Sequence, residues 1–163
     1  MGREKIFRSK VRKAAVKAGF RSGLEYEVAK ILDENNIEYQ YEPIKLDYEE
    51  KTSYKKFKCM ECGCKDILQE RKYTPDFLLV KSGKILEVKG RFVMADRKKI
   101  LAVLKHNPDL NFTMVFQNHR AKISRMSKQT YMTWCNKHGV DWVSVGNLAL
   151  WSKRFLRDSD EEW

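Results

Sequence analysis

The sequence predicts a mixed α/β domain, a sheet with helices on its faces. Three observations carry that expectation. Apolar residues recur at helical spacing in several segments, short apolar or alternating runs fall between them, and Gly, Asn, Pro and Ser punctuate the joins. The predicted order is helix, strand, a polar insert, two strands, then helix, strand, helix, strand, helix.

Each element has its own local reason. Ser22 can cap a helix in which Leu24, Val28, Ile31 and Leu32 form one stripe, and Asn35-Asn36 can stop it. Ile37, Tyr39 and Tyr41 then alternate as a strand up to Pro43. Residues 47–72 are polar and cysteine-bearing and break the pattern, so they are expected as an insert. Phe77 to Val80 and Ile85 to Val88 are strand-like runs joined by Lys81-Ser82-Gly83-Lys84, which is a hairpin signal. Asp96 can cap a helix through "RKKILAVLKH" that ends at Asn107-Pro108, and "LNFTMVF" at 110–116 makes a buried strand. Ser127 can cap a helix through Tyr131, Trp134 and Cys135 that stops at Gly139. "VDWVSV" follows as a strand and "LALWSKRFLR" as a closing helix. The expected organisation is a basic arm over 1–21, one domain over 22–157 carrying the insert 47–72, and an acidic tail over 158–163. At 163 residues the chain can bury a substantial core.

Charge narrows the class of partner. Lys plus Arg number 33 against 22 Asp plus Glu, a formal net charge of +11, so a polyanion is expected. Residues 1–21 hold Arg3, Lys5, Arg8, Lys10, Arg12, Lys13, Lys17 and Arg21 against Glu4 alone. "NHRAKISRMSK" at 118–128 adds Arg120, Lys122, Arg125 and Lys128 with no acid. Two such blocks favour contact with a phosphate backbone through counterion release. No run approaches the length of a membrane span and the N-terminus lacks the apolar core of a secretory signal, so a soluble, cytoplasmic protein with no membrane partner is expected.

The chemistry-bearing stretch is "YTPDFLLVKSGKILEVKG", residues 73–90. A turn centred on Ser82-Gly83 sets Leu78 opposite Glu87 and Asp76 opposite Lys89. Alternation then places Asp76, Glu87 and Lys89 on one face, with Asp76 diagonal to Glu87. Such a face is either a solvated ion-pair surface or a cation site. In the second reading Asp76 and Glu87 hold a hard divalent ion, magnesium or manganese, and Lys89 orients or deprotonates water or offsets phosphate charge. Glu25 also has two readings. With Ser22 it completes S-x-x-E, a capping box in which Glu25 reaches back to the Ser22 amide. It also flanks the apolar stripe and could lean toward Asp76 and Glu87.

Five blocks together are more specific than any one. "FRSGLE" at 20–25, "YTPDFLL" at 73–79, "EVKG" at 87–90, "DRKK" at 96–99 and "KHG" at 137–139 resemble, in order and context, the bacteriophage endonuclease I family of Holliday junction resolvases. The resemblance runs over about 18–145, the insert excepted. It implies a restriction-endonuclease-like core of the P-D-(D/E)-x-K kind, magnesium-dependent phosphodiester hydrolysis on branched DNA, and an intertwined homodimer. It promotes Glu25 from cap to metal ligand beside Asp76 and Glu87, with Lys89 completing the catalytic set. Backbone contacts are then expected from Arg8, Lys10, Arg12, Lys13, Lys17 and Arg21, from Arg97, Lys98 and Lys99, and from Arg120, Lys122, Arg125 and Lys128. One departure is the insert, longer than the family's usual connection. Another is Gln40, which stands where the family carries an acid, with Glu42 nearby as a substitute. Two other readings stay open: a repair or restriction-type nuclease on duplex DNA, and a non-catalytic zinc-dependent DNA-binding module.

Cys59, Cys62 and Cys64 in "KCMECGCKD" have knuckle spacing that suits structural zinc. A fourth ligand would come from Cys135, a histidine or a partner subunit. Cys135 itself lies in the Trp134 stripe, where a small buried hydrophobe is the simpler reading. His106 and His138 fall near helix C-termini, where positive charge is favourable.

Overall fold

The computed structural model describes residues 2–53 and 66–157. Cys59, Cys62 and Cys64 lie outside the described residues, as does the acidic tail 158–163. The elements in chain order are α1 (Gly2–Lys17), α2 (Gly23–Glu34), β1 (Tyr39–Tyr41), β2 (Leu46–Ser53), β3 (Asp66–Tyr73), β4 (Phe77–Leu79), β5 (Ile85–Lys89), α3 (Met94–His106), β6 (Phe112–Phe116), α4 (Tyr131–His138), β7 (Asp141–Ser144) and α5 (Leu148–Arg157). Five strands form one mixed sheet in the order β1-β4-β5-β6-β7. β1, β4 and β5 run antiparallel to one another in turn, whereas β5, β6 and β7 are parallel, joined by crossovers through α3 and α4.

Alternation along the strands divides the core in two. Ile85, Phe112, Met114 and Phe116 face α3 and α4, where Phe92, Ile100, Val103, Trp134 and Cys135 cover them. Leu86, Val88, Val115, Phe77 and Leu79 face the other way, against Val28, Ala29 and Leu32 of α2 and Leu148 of α5. All five residues of β6 are buried, as expected of a parallel strand covered on both faces. The α/β expectation therefore holds, with helices on both sides of a mixed sheet.

Several local expectations shift. The basic arm includes α1, whose Val11 Cγ1 stands 3.0 Å from the position a Cβ would take at Gly23, so α1 crosses the start of α2 closely. The Ser127 cap moves to Thr130, whose hydroxyl accepts the Thr133 N–H at 3.3 Å. Ser127 and Lys128 stay in the loop, where Lys122 bridges Thr130. Val93 is the N-cap of α3, and Asp96 sits three residues inside, accepting the Val93 N–H at 3.3 Å. The insert contains a two-stranded antiparallel ribbon, β2 with β3, from Leu46 opposite Tyr73 to Ser53 opposite Asp66. Its residues carry little apolar periodicity because ladder hydrogen bonds make the ribbon, and its base, at Leu46, Tyr48 and Tyr73, packs into the core beside α3.

The β4–β5 register also differs from the expected one. Leu78 pairs with Ile85 and Phe77 with Leu86. Gly83 takes φ +63° and donates to Leu79 O at 2.9 Å, and Val80 donates to Glu38 O instead, so the turn absorbs more chain. The slip is two residues, which preserves which face each side chain occupies.

Thr113, on the α2 side of β6, is wholly buried and its hydroxyl has no hydrogen-bond partner among the described residues. Thr113→Val keeps the shape and removes the stranded hydroxyl. Its urea midpoint should rise, corresponding to about 1 kcal/mol of added stability; an equal or lower midpoint would mean that the hydroxyl is satisfied.

Candidate active site

The site forms where the sheet splits. Beyond the Phe77–Leu86 pair, β3 leaves in the ribbon and no main-chain partner follows on that side for Val88. Asp76 supplies one: its Oδ2 accepts the Val88 N–H at 2.7 Å. This brings Asp76 beside Glu87 rather than diagonal to it. Glu87 is 2% exposed, its Oε2 accepts the Tyr73 hydroxyl, and Lys89 Nζ lies 2.9 Å from its Oε1. Asp96 Oδ1 stands 3.9 Å from the same ammonium.

Glu25 reaches this point from α2. Ser22 caps the helix, its Oγ accepting Glu25 N–H at 3.2 Å and donating to Glu25 Oε1 at 2.7 Å. The expected reach back to the Ser22 amide does not occur. Glu25 Oε2 instead accepts the Arg21 N–H at 3.2 Å and the Tyr41 hydroxyl at 2.6 Å. Cap and site are thus compatible, since one carboxylate serves both.

The electrostatics record how close the acids are. Burial first, then Glu87 and Glu25, push the Asp76 carboxyl up to about 7, although the Val88 amide and Lys89 oppose the shift. Burial pulls the Lys89 pKa down, but the charge and hydrogen bond of Glu87, with Asp96 and Asp76, outweigh it and the net shift is upward. Lys89 is therefore an ammonium at neutral pH. Burial, Glu87 and Asp76 likewise raise the Tyr73 phenol well above its ordinary value, so it stays a donor.

Among the described residues no group of three or more His, Cys, Asp or Glu closes into a ready cation cage. Each carboxylate is tied to neighbours, and of their oxygens only Asp76 Oδ1 lacks a donor among the described residues. The donor set nevertheless has the chemistry of a hard divalent ion's ligands, since it is all carboxyl oxygen, with Glu87 and Glu25 both acting on Asp76.

Comparison with known proteins decides the family. The profile of the family described as Phage endonuclease I matches residues 6–151. The chain belongs to the phage endonuclease I family. Endonuclease I of Escherichia phage T7 is 34% identical over 134 residues, covering 82% of this chain and 78% of that one. Endodeoxyribonuclease 1 of Enterobacteria phage T3 is 36% identical over 121 residues, 74% of this chain and 68% of that one. The profile match spans Glu25, Asp76, Glu87 and Lys89 together.

The basic residues expected to contact phosphate divide by environment. Lys10, Arg12, Lys13 and Lys17 line exposed positions of α1, and Lys98, Arg120, Lys122, Arg125 and Lys128 are also exposed. The Arg8 side chain lies outside the described residues. Arg21 is held by Glu42, Nη1 to Oε1 at 2.8 Å and Nη2 to Oε2 at 2.9 Å, so Glu42 serves Arg21 rather than standing in for an acid at Gln40. Lys99 lies over the Tyr73 ring, 5.3 Å from its centroid. Arg97 serves the fold, because its Nη1 donates to Phe92 O at 2.6 Å and to Ile123 O at 3.3 Å and so ties the basic loop to the start of α3. Of the options for a fourth zinc ligand, Cys135 is fully buried, and burial pushes its thiol up to about 12, so it is a core residue. The tyrosines and the Arg97 tether were not foreseen; Tyr73 stands three residues before Asp76, but nothing in its spacing shows which way its hydroxyl points.

The raised Asp76 pKa has a stability consequence. The folded state holds a proton that the unfolded chain releases near its ordinary value, so this group's contribution is full below about pH 4 and is lost as pH rises to about 7. In chelator, Asp76→Asn should remove that slope. Above pH 7 it should unfold about 2 kcal/mol harder than the parent, after discount for partial exposure. Parallel stability curves from pH 4 to 8 would show that Asp76 titrates normally.

Proposed function

We propose that this chain is a structure-selective endonuclease that cuts four-way and other branched DNA, using magnesium or manganese, as a homodimer in the cytoplasm of an infected host cell. Family membership and the names of its relatives support nuclease action on DNA. The observation that carries the chemistry is Asp76, whose proton affinity is raised by burial, Glu87 and Glu25 beside the Lys89 ammonium. Acids compressed in this way are relieved by a divalent cation, and Glu25, Asp76 and Glu87 would hold it.

When bound, such an ion supplies Lewis acidity to the phosphodiester and to the attacking water. The remaining work falls to the chain's own groups. Asp76 Oδ1 is the oxygen with no donor to displace among the described residues. Lys89, kept protonated by Glu87 and Asp96, can offset charge that builds on the phosphate oxygens. Tyr73, Tyr41 and the Val88 amide hold the carboxylates in place. Exposed cations on α1 and in the 118–128 loop would follow phosphates without reading bases, which suits recognition of branch shape. A two-fold dimer would present one site to each of two opposed strands of a junction.

Incubated with an immobile four-way junction and a linear duplex of equal length, the protein should nick the junction in symmetric pairs only when magnesium is present. Equal cutting of both substrates would reassign it to a duplex nuclease, and binding without scission would make it a DNA-binding module. Glu87→Ala should lower the cleavage rate by at least about a thousandfold, with junction affinity within about threefold because affinity resides in the basic surfaces. An equal loss of affinity and cleavage would overturn that division of roles.

A further inference from the structure

The basic loop between β6 and α4 is a braced finger with an apolar tip. It leaves β6 at Phe116, which pairs with Lys89, and the next residue, Gln117, donates its N–H to Lys89 O at 3.3 Å. Lys122 bridges Thr130, the Ile123 N–H donates to Gln129 O at 3.0 Å, and the Tyr131 N–H donates to Ala121 O at 2.9 Å, so the two arms run antiparallel. A turn closes the end: the Ser127 N–H donates to Ser124 O at 3.2 Å, which places Arg125 and Met126 at the apex. Arg97 braces one arm, its Nη1 reaching both Phe92 O and Ile123 O. Met126 is 91% exposed, the most exposed large hydrophobic among the described residues. Turn apices normally carry glycine or short polar residues, and every charged side chain of the finger is a cation, Lys122, Arg125 and Lys128, all exposed. The start of α3, at the other end of the Arg97 tether, is also apolar and open, with Val93 42% and Met94 63% exposed.

We infer that Met126 is a wedge that enters the base stack of the DNA at its branch point, while Lys122, Arg125 and Lys128 hold phosphates around it. The cations draw the finger onto the backbone, and the flexible thioether between them is suited to filling an irregular apolar gap. An apolar side chain driven between base pairs unstacks them, and burial of its own surface offsets part of the lost stacking. That loss is smallest where stacking is already interrupted, which is at a branch and not within a continuous duplex. The wedge needs no base-specific hydrogen bond, so it adds selectivity for structure without selectivity for sequence. The hairpin bonds and the Arg97 tether fix the finger before DNA arrives, so little ordering entropy opposes insertion. The inference rests on the reading of branched DNA as the substrate.

The full-length protein is titrated, in chelator, onto an immobile four-way junction and onto a linear duplex of equal length, each carrying a fluorescent adenine analogue that brightens when unstacked. In the junction the analogue sits at the branch point or one helical turn away. The parent should brighten the branch-point analogue alone. Met126→Ser should abolish that rise and weaken junction affinity by about tenfold while duplex affinity stays within about twofold; Met126→Leu should retain both the rise and the affinity. Arg125→Gln, by contrast, should weaken junction and duplex alike and flatten the salt dependence, which Met126→Ser leaves unchanged. A Met126→Ser protein that still brightens the branch, one that loses junction and duplex affinity equally, or a parent that brightens the duplex as strongly would overturn the wedge. The fluorescence needs no cleavage, so the two readings fail separately. Magnesium-dependent scission of the junction by a parent that never brightens it would refute the wedge alone, whereas brightening without scission would refute the nuclease reading and leave the wedge standing.

Discussion

The site depends on the hydrogen bond from the Val88 amide to Asp76. An amide near the end of a central strand needs an acceptor, and β4 ends its pairing with β5 at Phe77 and Leu86. A carboxylate takes the place of the missing carbonyl. The substitution closes the ladder and puts a carboxyl group beside Glu87 on the central strand. Had a backbone carbonyl filled that role, the strands would have continued and Asp76 would have had no reason to be there.

Glu87 and Glu25 both act on Asp76, and the fold answers with donors rather than with counter-ions alone. Glu25 holds two backbone or hydroxyl donors from the Arg21–Ser22 turn as well as Tyr41. Glu87 has Tyr73 and Lys89. Asp76 has one amide, and there burial first, then the charges of Glu87 and Glu25, push the carboxyl pKa up. Buried polar groups that share partners act as a unit.

The cations are arranged by a different logic. Lys10, Arg12, Lys13 and Lys17 of α1 and the cations of the 118–128 loop stand out into solvent, where long-range attraction of a polyanion needs only that they be unobstructed. Arg97 is the exception, since its guanidinium joins the loop to Phe92 O at the foot of α3. A loop carrying charges of one sign would otherwise be pushed outward, and this tether holds it at the start of α3.

Apart from α1 and the ribbon, the sequence by itself determined the element order, and with it the mixed α/β class and the shared face of Asp76, Glu87 and Lys89. Hydrophobic period and strand alternation are local properties, and a register slip by two residues at Gly83 leaves them intact. It did not determine the ribbon, because β2 and β3 are held by ladder bonds between mostly polar residues. Nor did it show that Arg97 and Arg21 have partners within the chain, since charge in a sequence carries no record of its partner. The cap reading of Glu25 missed Tyr41 for the same reason. Only the tertiary structure decided that Tyr41 and Tyr73, brought in by an edge strand and a ribbon, converge on the two glutamates, because a hydrogen bond across 14 or 16 residues exists only once the chain has folded.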